Sequence, residues 1–171
     1  MAAPLLTMPL RRHRFLATAR IACLALLAVV ARPVCAQQQD VNLVNLRGLD
    51  FGRFVAGSGG AVVVSPGGLR SRTGGVVLLN SPDAGQAAFS LGRRGEDAGL
   101  AVIVSLPPNG ATRLVSGAHS MAVDGFVHTP AELSAIPAGG TTLAVGATLT
   151  VAPNQAPGNY AGSFSLIVNY Q

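Results

Sequence analysis

From residue 41 onward, apolar residues come in short runs rich in Val and separated by Gly, Pro and Asn. No stretch of ten or more residues places apolar side chains at i, i+3, i+4 and i+7 without a Gly or Pro interrupting it. Strands are therefore predicted over 41–46, 49–55, 61–65, 76–80, 87–92, 100–106, 111–115, 120–127, 141–151 and 160–170, with at most a helical turn near 130–133. So many short strands between turn signals predict an all-β fold, a sandwich or a barrel.

The last of these segments has the sharpest pattern. Its even positions read Tyr160, Gly162, Phe164, Leu166, Val168 and Tyr170, and its odd positions read Ala161, Ser163, Ser165, Ile167, Asn169 and Gln171. Side chains alternate between the faces of a strand, so this is a half-buried strand. Periodicity alone leaves two readings open, an ordinary final strand of a sandwich or an edge with which another chain pairs. A local echo links Gly59-Gly60-Ala61-Val62-Val63-Val64-Ser65-Pro66 to Gly74-Gly75-Val76-Val77-Leu78-Leu79-Asn80-Ser81-Pro82. It predicts two neighbouring strands with similar turns, and no third copy makes it a repeat array.

The first 36 residues have a different character. Arginines flank the apolar run 21–31, which is too short for a bilayer core that needs about 20 residues. A secretory signal fits it, with Val34-Cys35-Ala36 before a cut after Ala36. Lipidation at a cysteine and a twin-arginine route through Arg11-Arg12 fit less well. The expected organisation is a signal peptide at 1–36, a short extension at 37–47 and a β-sandwich domain at 48–171. Export to the periplasm, the cell surface or the medium is the corresponding expectation. Both cysteines, Cys23 and Cys35, lie in the leader, so the exported domain is held together by packing without disulfides.

Charge changes the picture once the leader is set aside. The chain carries +5, but from residue 37 seven arginines balance seven acids and Lys is absent. A neutral domain lacks the basic footprint of nucleic-acid binding. Candidate chemistry is equally sparse. His119, Asp124 and His128 are the one trio with metal-binding side chains, yet Asp124 and His128 stand about 13 Å apart along a strand and His119 falls on the other face unless Gly125 makes a bulge. Glu96-Asp97 beside Arg93-Arg94-Gly95 reads as a solvated loop. No Gly-x-Ser-x-Gly elbow occurs, and Gly57-Ser58-Gly59-Gly60 lacks the Lys and helix of a phosphate loop. No catalytic residue, cofactor or metal site is expected, and the chain is read as a non-enzyme.

Several motifs together carry a resemblance. They are Leu49-Asp50-Phe51-Gly52, the Gly59-Gly60 strand ending at Ser65-Pro66, Gly74-Gly75, Met121-Ala122-Val123, Val145-Gly146-Ala147-Thr148-Leu149 and Gly158-Asn159-Tyr160-Ala161-Gly162-Ser163-Phe164. In combination, over roughly 44–170, they resemble the bacterial secreted domain family of unknown function 4402, which is similar in turn to spore-coat protein U and to chaperone-usher pilins. The resemblance implies an immunoglobulin-like, pilin-like sandwich of antiparallel strands, completed by a strand from a periplasmic chaperone and later from a like subunit at an outer-membrane assembly platform. It further implies that Tyr160, Gly162, Phe164, Leu166, Val168 and Tyr170 line the edge strand, with Gln171 as a carboxylate anchor.

Val41 and Leu43 are then the candidate donor-strand residues. The segment is short for that role, and its alternation breaks where Val44 and Leu46 fall on the other face. The expected function is a structural or surface subunit assembled by strand complementation, without a transmembrane span in the exported domain. The alternative is a self-complete periplasmic or surface sandwich that binds a small ligand or glycan.

Overall fold

The computed structural model of the chain describes residues 41–93 and 101–170. The expected leader, residues 37–40, the Glu96-Asp97 loop and Gln171 lie outside the described residues. In chain order the strands are β1 (Asn42–Arg47), β2 (Phe54–Val55), β3 (Gly60–Val64), β4 (Arg70–Gly74), β5 (Val77–Leu78), β6 (Ala87–Gly92), β7 (Val102–Ser105), β8 (Thr112–Ser116), β9 (His119–Thr129), β10 (Thr141–Val151) and β11 (Ile167–Tyr170). The fold is all-β and antiparallel, as the spacing predicts.

β10 organises the large sheet. Its inward side chains, Leu143, Val145, Ala147, Leu149 and Val151, are all buried. On one edge its first half pairs with β6 and its second half with β3, and on the other edge it pairs with β9. β1 extends the sheet beyond β6, β4 beyond β3 and β8 beyond β9. The core divides in two along β10, near Gly146. Phe51, Val62, Val64, Val76, Met121, Val123 and Leu149 belong to one cluster, with Phe54 and Leu78 of the β2–β5 ribbon packed over it. Phe89, Leu91, Val102, Ile136, Leu143 and Val145 belong to the other, covered by Val168 and Tyr170 of the β7–β11 pair. Two layers with apolar faces between them make a sandwich, and each fully buried Leu or Val contributes about 1.5–3 kcal/mol.

The structure departs from the predicted elements at five places. Of 49–55 only Phe54 and Val55 form a strand, because Asp50 turns to exchange backbone hydrogen bonds with Gly85 and Phe51 plunges into the core. The polar run Arg70–Gly74 is a strand that hydropathy missed, since an edge strand with little burial needs few apolar residues. The echoed glycines meet across the β3–β4 hairpin, where Gly60 faces Gly74, whereas the second echoed run pairs with β2 through β5 and is no neighbour of β3. Residues 160–170 are not one ladder: Ala161 bridges Val115, Ile167–Tyr170 pairs with β7, and 162–166 lie between. The extension expected to end at residue 47 is sheet from Asn42 onward.

Candidate functional site: a groove beside the carboxyl-terminal segment

A groove of about 1360 Å³ opens between the stretch from Arg47 to Gly57 and the stretch from Asn154 to Gly162. Leu114, Met121 and Leu149 lie at its floor. The first wall is built around the Leu49-Asp50-Phe51-Gly52 motif. Phe51 is buried, and the Asp50 carboxylate accepts the Gly52 N–H at 2.7 Å. Gly52 turns at φ 69°, where a Cβ would lie 2.8 Å from those of Ser81 and Ala84, so only glycine fits.

Arg70 reaches from β4 to staple this wall, donating to the carbonyls of Leu79 at 3.0 Å and Arg53 at 2.6 Å. Burial lowers the pKa of its guanidinium, and the nearby Asp50 charge opposes that shift. Arg53 N–H donates to the Ser81 hydroxyl at 2.8 Å, and the Arg47 guanidinium donates to the Asp83 carbonyl.

Tyr160 holds the second wall. Its hydroxyl donates to the Ala156 carbonyl and accepts from the Gln155 amide, both at 2.8 Å. The tyrosine thereby bonds back to the backbone four residues upstream and fixes the turn that leads into the carboxyl-terminal segment. At one end the Asn154 N–H donates to the Gly57 carbonyl at 3.1 Å and ties the walls together.

Beyond Tyr160 the predicted alternation holds in the side chains. Phe164, Leu166, Val168 and Tyr170 are half-buried against the second core cluster, while Ser163, Ser165, Ile167 and Asn169 are exposed. Phe164 packs on Phe126 and Phe89, with centroids 5.1 Å and 6.2 Å away. Gly162 is exposed and passes so close to the Arg113 carbonyl that a Cβ would collide with it. In an extended chain the N–H and C=O of one residue point to the same edge and alternate with those of the next. Ala161 spends both groups on Val115, toward β8. Gly162, Phe164, Leu166, Val168 and Tyr170 therefore direct theirs to the opposite edge, where no strand pairs among the described residues.

The other predicted positions are placed differently. Val41 and Leu43 pack against the second core cluster, and β1 is paired with β6. His119, Asp124 and His128 are not brought together. Gly125, at φ 61°, makes a bulge that shifts the β9–β10 register, so Asp124 and His128 fall on opposite faces rather than sharing one. The Asp124 carboxylate accepts the Gly110 N–H at 2.6 Å, Asn109 returns the bond by accepting the Gly125 N–H at 2.9 Å, and His128 Nδ1 donates to the Pro130 carbonyl at 2.8 Å. Among the described residues no group of three or more potential metal ligands occurs, and no helix is long and apolar enough to cross a membrane. The groove itself was missed in the sequence, because its two walls, near 47–57 and 154–162, lie about a hundred residues apart in the chain.

Residues 41–170 match the family model described as Domain of unknown function (DUF4402). No curated protein and no solved structure matches the chain.

Proposed function

The chain belongs to that family, and from this premise we propose that it is an exported, non-enzymatic structural or surface subunit, pilin-like in being assembled by β-strand complementation. An extended strand from outside pairs with the edge of 162–170, whose first residue, Gly162, closes one end of the groove. One observation carries the reading: the carboxyl-terminal segment anchors its even side chains in the core while the backbone groups of those same residues face an edge that no strand pairs among the described residues. Strand addition supplies main-chain partners at such an edge. A periplasmic chaperone or a subunit in an envelope assembly is the kind of partner that provides such a strand.

Light scattering after size exclusion of the protein released from the cells that export it, together with amide exchange, tests the reading. We expect the assembled form to protect the amides of Gly162, Phe164 and Leu166, and the isolated chain to leave them fast. A monomer in every fraction, with unchanged exchange at these three amides, refutes it and favours a self-complete sandwich.

A further inference from the structure

We infer that this chain accepts a partner strand without donating one: the strand that pairs with its edge of 162–170 belongs to a different kind of chain, and copies of this chain do not polymerise through their amino-terminal segments. The inference rests on the complementation reading above.

The candidate donor is already engaged. Asn42, Leu43, Val44 and Asn45 face Gly92, Leu91, Ser90 and Phe89 of β6, and Val41 and Leu43 pack into the domain's own second core cluster. The break in alternation that spoils this segment as a straight donor is a fitted feature of its own sheet. The β1–β6 register shifts between Asn45 and Arg47, so that Arg47 comes to face Ala88. A donor lying along an edge must keep parity or its apolar side chains turn outward. Past the shift, the Arg47 guanidinium bonds the Asp83 carbonyl and packs so closely over Gly85 that a Cβ there would meet it at 2.8 Å. The segment is thereby pinned to its own chain at its far end.

What precedes β1 is unsuited to the edge of 162–170. With cleavage after Ala36, Gln37-Gln38-Gln39-Asp40 are left, reaching about 13 Å at 3.3 Å per residue against about 26 Å from Gly162 to Tyr170. Their four polar side chains also lack the apolar alternation that the segment 162–170 itself shows. The occupant is therefore an extended strand of another protein that pairs along the edge of 162–170.

A disulfide lock tests this in the full chain expressed with its own leader. Val44 and Ser90 are register partners, and Val44 is 46% exposed on the outer face, so Val44→Cys with Ser90→Cys ties β1 to β6 without entering the core. The probes are a labelled peptide of alternating Val and Thr, about 11 residues long, and a peptide of residues 37–47. We expect the crosslink to form within one chain, the locked and unlocked proteins to bind the alternating peptide within about twofold of each other, and the 37–47 peptide to bind at least tenfold more weakly. Crosslinks from residue 44 of one chain to residue 90 of another, or a homopolymer that the lock abolishes, would show that β1 is donated and overturn the inference while leaving complementation standing. Failure of both proteins to take up the alternating peptide, with the 162, 164 and 166 amides unprotected, would overturn complementation itself and the accepting half of the inference with it.

Discussion

Replacing Tyr160 by Phe removes one oxygen and keeps the ring that packs against the first core cluster. The hydroxyl makes two hydrogen bonds of 2.8 Å, one donated to the Ala156 carbonyl and one accepted from the Gln155 amide. A hydrogen bond contributes about 0.5–1.5 kcal/mol net, and both of these are only part-buried, so water can replace them in the variant. The expected loss is therefore in the lower half of the summed range, about 1–1.5 kcal/mol. For a domain of this size that lowers Tm by about 3–5 °C. Urea denaturation followed by circular dichroism measures it, with Gln155→Ala and the double variant completing a cycle. If the hydroxyl closes the corner, the cycle returns a coupling of about 0.5 kcal/mol or more. A Tyr160→Phe variant within 0.3 kcal/mol of the parent would show that the corner is held by packing alone and that the second wall of the groove is not fixed by this contact.

Three further outcomes separate the causes invoked here. Gly52→Ala should cost at least about 2 kcal/mol, because φ 69° is strained for any L side chain and a Cβ has nowhere to go, while Gly125→Ala at φ 61°, with nothing nearer than 3.5 Å, should cost only about 1 kcal/mol; equal losses in denaturant titrations would refute the steric distinction. Gly162→Ala should push the carboxyl-terminal segment away from the Arg113 carbonyl and speed amide exchange at Ala161 and Val115, and unchanged exchange at that bridge would contradict it. Val168→Lys should unfold the β7–β11 pair rather than merely block an edge, since Val168 is half-buried against the core, and a variant with parental Tm would overturn that placement.

The all-β class, the positions of β6 and β10 and the facing of 160–170 were legible because each rests on alternation of buried and exposed side chains against the core. The β9 run was legible only in part. Met121 and Val123 point inward on odd positions, then Phe126 and His128 on even ones, and the change comes from Gly125, whose bulge depends on its partner strand as well as its own sequence. Similarly, the broken alternation of β1 looked like a defect when judged as an isolated strand, and becomes a register shift once β6 is beside it. β4 could not be seen from hydropathy, since Arg70, Ser71, Arg72 and Thr73 are held by pairing with β3 and by the bonds of Arg70, with little burial. The groove was least legible of all, because its walls are distant in the chain and meet only through Asn154 and Gly57 at one end.

The open edges of this fold support one direction for assembly. Exposed edges are commonly guarded by charge, bulges or proline, since unpaired backbone invites another strand. β4 at one edge of the large sheet carries Arg72, and β1 at the other carries a bulge. Residues 160–170 carry no charge and no proline, and their side chains keep strict parity along the whole length. Those two edges of the large sheet therefore have guards and the edge of 162–170 has none, and the groove reaches that segment at Gly162. A guard at this edge would obstruct a complementing strand, and its absence is in keeping with the proposed role of this edge in receiving one.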